Sequence, residues 1–143
     1  MNYTITKMTG EDVSSVYALE KDLIGTSSIS RIWETINSNT VSYYVMKNND
    51  EAIGFVEFSI ISPECELYTI GIKKEYQGQK LSHHLMDKLF EICRQKSCET
   101  IFLEVNSINK TAINLYNKYG FKSYSLRKNY YGNNDAILMK LDL

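Results

Sequence analysis

Three short segments carry side chains suited to chemistry. Tyr76-Gln77-Gly78-Gln79-Lys80-Leu81-Ser82 is a polar run between an apolar stretch ending at Ile72 and an amphipathic one opening near Leu81. A helix starting there would turn unpaired backbone N–H groups and partial positive charge toward the loop, which suits phosphate. Lys73, Lys74 and Lys80 would add cationic side chains. No full Gly-rich phosphate-loop pattern is present, so on local chemistry alone a solvated strand-to-helix turn is the plainer reading. In the second segment, Glu104 sits near the C-terminal end of the apolar run Thr100–Val105. A carboxylate there is either turned to solvent by strand alternation or set at the mouth of a cleft, where ligands of parallel strands gather. Third, Tyr116 stands on the inward stripe of Lys110–Tyr119, either as a core tyrosine whose hydroxyl reaches the surface or as a general acid.

Other candidates are weaker. His83 and His84 are adjacent on one helix and face different ways, a poor metal pair, and no metal is expected. Cys65, Cys93 and Cys98 are odd in number with no CxxC pair, which argues against a disulfide scaffold or zinc finger and fits a reducing cytoplasm. Cys93 lies on an apolar stripe and reads as core.

The elements that would position these groups follow from periodicity. Tyr3–Lys7 alternates like a strand, and Thr9 or Asp12 is placed to cap a helix carrying Val13, Val16, Tyr17 and Leu23. A short helix is predicted from Ser30 to Asn37 with Ile32, Trp33 and Ile36 inward. Val41–Lys47 and Ala52–Ile61 read as a hairpin around Asn48–Glu51, and Glu64–Ile72 as a third strand after Ser62-Pro63. Leu81, Leu85, Leu89 and Cys93 recur every four residues in a long helix. Thr100–Val105 is a strand and Lys110–Tyr119 a helix, with Gly120 at the position after it. Phe121–Leu126 and Ala136–Leu141 read as closing strands around a loop at Tyr130–Asn134. The strand–helix–strand crossover over residues 64–105 makes two neighbouring strands parallel in a mixed α+β domain.

The 143 residues are enough for one domain, and 43% hydrophobic with 23% charged residues fits a single packed core. No apolar run approaches a membrane span, and the start MNYTITKM has no apolar signal region. The net charge of −1 hides a split, −6 over residues 1–70 and +5 over residues 71–143. A basic half suits a polyanion and an acidic half a cationic ligand, although chance clustering on a solvated surface fits as well. A pI near 6.1 argues against nucleic-acid binding.

In their order and spacing the segments resemble the GNAT superfamily of acetyl-coenzyme A-dependent N-acetyltransferases. The likeness is carried by Glu64–Ile72 (ECELYTIGI), Tyr76–Gln79 (YQGQ), Leu103–Asn109 (LEVNSIN), Ala112–Tyr116 (AINLY) and Tyr119-Gly120-Phe121. Arg127–Tyr131 (RKNYY) and Asp135–Met139 (DAILM) complete it. Within the superfamily the chain is most similar to the RimI type, which acetylates the N-terminal alanine of a small-subunit ribosomal protein.

The resemblance implies a central, mostly antiparallel sheet with one parallel pair splayed at the cofactor site, flanked by about four helices. It implies that the backbone of Ile70, Gly71 and Ile72 holds the pantetheine arm. The loop Gln77, Gly78, Gln79, Lys80, Leu81 and Ser82 would receive the pyrophosphate, and Asn109 would contact the cofactor. Glu104 would be the general base and Tyr116 the general acid, with Glu66, Tyr130 and Tyr131 toward the acceptor. Acetyl-CoA would be the cosubstrate and a protein N-terminus the partner, in a cytoplasmic monomer or weak homodimer without nucleic acid or membrane. The acidic half, including Glu20, Asp22, Glu64 and Glu66, would attract a cationic peptide. One departure stands out: the superfamily loop has glycine where this chain has Lys80, and a small Gly or Ala where it has Ser82. Two alternatives remain, an acetyltransferase for a small amine and, because of that departure, a binding module with weakened cofactor use.

Overall fold

The computed structural model describes residues 2–143. In chain order the elements are β1 (Tyr3–Lys7), α1 (Val13–Ile24), α2 (Ile29–Thr35), β2 (Val41–Asn48), β3 (Glu51–Ile61), β4 (Glu64–Ile72), α3 (Ser82–Gln95), β5 (Thr100–Asn106), α4 (Lys110–Lys118), β6 (Lys122–Tyr131) and β7 (Asn134–Asp142). Short 3-10 turns at Gly10–Asp12 and Lys74–Tyr76 lead into α1 and toward α3. The seven strands form one sheet in the order β1-β2-β3-β4-β5-β7-β6, antiparallel except for β4 and β5. This is the mixed architecture that the crossover and the family likeness predict.

Each face of the sheet gains its cover from amphipathic helices. The stripe Leu85, Met86, Leu89, Ile92 and Cys93 of α3 packs on strand residues such as Val56, Phe58 and Ile101. On the other face, Val13, Val16 and Leu19 of α1 and Ile32 of α2 bury Tyr43, Val45 and Phe55. Cys65, Cys93 and Cys98 are all buried thiols with no disulfide. No helix among the described residues is long and apolar enough to cross a membrane.

Three local readings need correction. Trp33 is not inward: it is 50% exposed, because Ile32 takes the buried position and the indole lies over the bare backbone of Gly10. Tyr130 and Tyr131 are not in a loop. They belong to β6, which reaches a tight turn at Gly132 and Asn133. Finally, Glu20 is not placed to attract a cationic peptide, since it is buried. Its carboxylate accepts from the Tyr43 hydroxyl at 2.7 Å and from Ser27 at 3.1 Å, in a buried network completed by the Arg31–Glu57 ion pair. Burial and the Glu20 contact push the Tyr43 phenol upward, so it remains a donor.

The feature that opens the sheet is a β-bulge. Along β3 and β4, Glu57 pairs with Thr69 but Phe58 pairs with Leu67, leaving Tyr68 as an extra residue. The parallel pairing of β4 with β5 stops at the same point, with Leu67 opposite Leu103. A bulge bends its strand and increases its twist. Beyond Leu67, β4 stays with β3 while β5 stays with β7, and a wedge opens between them.

Candidate active site

The wedge is a cavity of about 680 Å³. Its walls include Ile70, Gly71 and Ile72 of β4, the loop residues Gln77, Gly78, Lys80, Leu81 and Ser82, and Glu104, Asn109, Tyr116 and Tyr131. Of the residues singled out in the sequence, Gln79 is exposed in the same loop, Tyr130 lies at the surface on β6, and Glu66 lines a separate cavity.

The β4 wall offers backbone rather than side chains. The Lys73 N–H donates to the Ile53 carbonyl at 2.7 Å, toward β3. Alternation along the strand therefore turns the polar groups of Ile72 and Ile70 into the wedge, where no β5 partner meets them. Gly71 is confined from the other side: a Cβ there would lie 2.9 Å from Leu23 Cδ1 and 3.3 Å from a Phe55 ring carbon.

The phosphate-loop candidate ends at a helix with no side-chain cap, since Leu81 occupies the N-cap of α3. The N–H groups of Gly78, Gln79, Lys80 and Leu81 donate to no other group among the described residues. Successive free N–H groups at a helix start form a concavity for an anion. The lysines differ in their availability. Lys73 pairs with Glu51 and Glu75, and Lys74 with Asp22, whereas the Lys80 ammonium makes no ion pair among the described residues. The Gln77 side-chain amide is also committed, donating to the Ile72 carbonyl at 2.9 Å. Lys80 has φ 61°, so it adopts the left-handed conformation for which glycine is the natural residue. The backbone keeps the shape that glycine would give while carrying a cationic side chain. Asn109 caps α4, its Oδ1 accepting from the Ala112 N–H at 3.2 Å, which leaves its NH₂ group to donate into the wedge.

The two proposed proton-handling groups share this cavity. Glu104 is the third residue from the end of β5, directly after Leu103, the last residue paired with β4, with Arg127 Nη1 at 3.0 Å from its Oε1. Tyr116 is 7% exposed and packs beside Phe121, the rings tilted with centroids 5.7 Å apart. Its hydroxyl has no partner among the described residues, and burial pushes its pKa up to about 12. Burial, and then the nearby Glu104 carboxylate, also push the Tyr131 phenol upward. Arg127 is the residue that local sequence reasoning gives no role. It reaches Glu104 across the intervening strand β7, a relation that no sequence spacing displays. His83 is engaged with the Tyr119 hydroxyl at 2.9 Å. No metal-competent cluster of His, Cys, Asp and Glu occurs among the described residues.

Comparison with known proteins gives concordant findings. The model of the acetyltransferase (GNAT) family matches residues 11–121. A Bacillus subtilis (strain 168) protein provisionally named ribosomal protein bS18-alanine N-acetyltransferase is 31% identical, over 94% of this chain and 92% of that protein. The crystal structure of the ribosomal-protein-S18-alanine N-acetyltransferase from Escherichia coli superposes with a TM-score of 0.90 at 25% identity, covering 99% of this chain and 94% of that one. A likeness of fold also extends to an N-acetyltransferase from Thermoplasma acidophilum solved in complex with coenzyme A, at TM-score 0.80, 20% identity and full coverage of both chains.

Proposed function

Since the chain belongs to the GNAT acetyltransferase family, we propose that it acetylates the N-terminal α-amine of a protein, a ribosomal protein beginning with alanine. The observation that supports this reading is that Glu104 and the unpartnered Tyr116 hydroxyl line the same wedge as the open β4 backbone. The names of the relatives support the choice of acceptor.

The residues fit acetyl-coenzyme A. The free N–H groups of Gly78–Leu81 and the Lys80 ammonium suit its pyrophosphate, and the wedge-facing groups of Ile70 with the Ile72 N–H suit the amides of its arm, the Ile72 carbonyl being held by Gln77. The bound cosubstrate would supply an acetyl group activated as a thioester. Glu104 would take the proton from the acceptor amine, directly or through a water. An α-amine, with pKa ~7.7–8.0, is already partly neutral at pH 7, whereas a lysine near ~10.4 carries an extra deprotonation cost of roughly 3.4 kcal/mol. One carboxylate whose charge is shared with Arg127 suits the easier amine. An N–H of Ile70 or Ile72 would meet the charge developing on the carbonyl oxygen.

Tyr116 would act on the departing sulfur chiefly as a hydrogen-bond donor. With its pKa near 12, full proton transfer to a thiolate of ordinary pKa ~8.5 would be uphill by roughly 5 kcal/mol. A retained O–H aimed at sulfur lowers the barrier without that cost. The whole of residues 1–143 would act as one catalytic domain.

The deciding experiment is acetyl transfer to a panel of peptides beginning with Ala, Ser, Met or Gly, beside lysine-bearing peptides with blocked N-termini, spermidine and an amino sugar. Alanine- or serine-initiated peptides should have the highest kcat/KM; preference for a small amine would overturn the assignment.

Lys80 gives an independent prediction about the cofactor loop. A non-glycine residue at φ 61° costs about 1 kcal/mol locally. Lys80→Gly should therefore raise Tm by about 2–4 °C in thermal denaturation without ligand, part of the gain being offset by the freer unfolded chain. The same variant should weaken coenzyme A several-fold in a calorimetric titration, because the unpaired ammonium is lost. Tighter binding would show instead that the side chain obstructs the site.

A further inference from the structure

A second cavity, of about 600 Å³, lies on the sheet face that α1 and α2 leave uncovered. Ser59 of β3, Glu64 and Glu66 of β4, Phe102 of β5 and Tyr124 of β6 supply its walls, and Glu104 lines both this cavity and the wedge. The two spaces therefore meet at the group assigned to receive the amine.

The polar groups of this cavity are unusually uncommitted. Glu64 and Glu66 are exposed and make no ion pair or side-chain hydrogen bond among the described residues. Ser59 is only 8% exposed, yet its hydroxyl also has no partner. That hydroxyl keeps contact with solvent through the cavity, so it is available to a ligand group. Ser59 stands directly opposite Glu66 in the β3–β4 register, and Glu66 opposite Phe102 in the β4–β5 register. Acceptor oxygens and an aromatic wall thus occupy one row. Arg127 also borders the space, but its guanidinium is engaged by Glu104. The Lys140 ammonium lies 5.8 Å from the Tyr124 ring centroid, so that ring already has a cation on one side.

We propose that this cavity is a subsite for a basic side chain, arginine or lysine, at the second or third residue of the acceptor peptide. The proposal rests on the N-terminal acetyltransferase reading above. Its position follows from strand geometry. Glu104 lies two residues beyond Phe102, or ~6.6 Å along β5. An extended peptide advances ~3.3–3.6 Å per residue, so a chain with its amine at Glu104 brings its second or third side chain over the Glu66–Phe102 row. A guanidinium suits the row best, since its flat fork can bond carboxylates and hydroxyl while stacking on an aromatic ring.

The test compares Ala-Arg-Ala-Ala, Ala-Ala-Arg-Ala, Ala-Ala-Ala-Ala and Ala-Glu-Ala-Ala peptides, with spermidine alongside, as acceptors for the full chain. A basic peptide should exceed the neutral one in kcat/KM by roughly tenfold, the scale of two partly screened ion pairs. In E64Q/E66Q that ratio should fall to near one, and in E64K/E66K the acidic peptide should overtake. Both glutamates are exposed, so folding should persist, as checked by far-ultraviolet circular dichroism. A ratio near one in the unsubstituted protein, or one that E64Q/E66Q leaves intact, overturns the subsite. If no peptide is acetylated, the N-terminal reading fails, and fluorescence anisotropy with labelled, N-acetylated Ala-Arg-Ala-Ala still judges the cavity. Selective binding lost in E64Q/E66Q would uphold a cationic site, and equal binding of the neutral peptide would overturn it. Faster transfer to spermidine than to any peptide overturns the N-terminal reading and leaves the cavity to be judged by the same anisotropy comparison.

Discussion

Glu104→Gln is expected to lower kcat by two to four orders of magnitude, with the affinity for acetyl-coenzyme A changed by less than about threefold. The amide keeps the shape of the carboxylate but cannot take a proton, and it forfeits the charge that Arg127 faces at 3.0 Å. The cofactor contacts proposed for the β4 backbone and the Gly78–Leu81 loop lie on other elements, so binding should survive. The pH profile separates a base from a merely structural residue. As pH rises past the ~7.7–8.0 pKa of an α-amine, the acceptor loses its proton unaided and the deficit of Glu104→Gln should shrink. A variant retaining more than a third of the unsubstituted kcat at pH 7 would remove Glu104 from the role of base.

The second large effect is expected at Tyr116. Tyr116→Phe should reduce kcat by roughly 10- to 100-fold while leaving Tm unchanged or slightly higher. This combination follows from one observation, that the hydroxyl is carried by a nearly buried ring yet has no partner among the described residues. Removing it breaks no hydrogen bond and keeps the packing on Phe121. Because burial pushes its pKa up to about 12, the phenol stays protonated across the working range. Loss of Tyr116 should therefore scale the pH–rate curve down without shifting its limbs below pH 10. A Tm drop of several degrees, or an unchanged kcat, would mark Tyr116 as a packing residue.

Much of the frame was legible in the sequence, for identifiable reasons. The bounds of β1 and β4 coincide with the predicted ones because both strands begin and end at strong breaks, and the α3 stripe is a regular four-residue recurrence against one sheet face. Edge strand β6 was legible only as far as Leu126, since every one of its residues is exposed and no alternation marks its second half. Trp33 misled because hydrophobicity predicts burial, while a flat glycine surface can support a large ring without enclosing it. For the candidate site, the chain segments could be found but not their electrostatic pairing. Which lysine near the loop is uncommitted depends on Glu51, Glu75 and Asp22, two of them far away in sequence. The Arg127–Glu104 contact depends on β7 lying between β5 and β6, an order that local periodicity does not encode. Likewise, the vacant hydroxyl of Ser59 is a property of a cavity, with no signature in a serine on a strand.

The supernumerary Tyr68 has a bearing on how such a protein can drift over time. The gap between the two parallel ribbons is set by the number of residues on one of them, so exchanges of side chain along that stretch can retune what enters without sealing the entrance. Excising Tyr68 itself would act differently: the β3–β4 ladder could close up with Thr69 to Ile72 keeping their partners, and the bend that holds the entrance open would be lost. Catalytic capacity in this architecture is thus tolerant of spelling changes and intolerant of a lost letter.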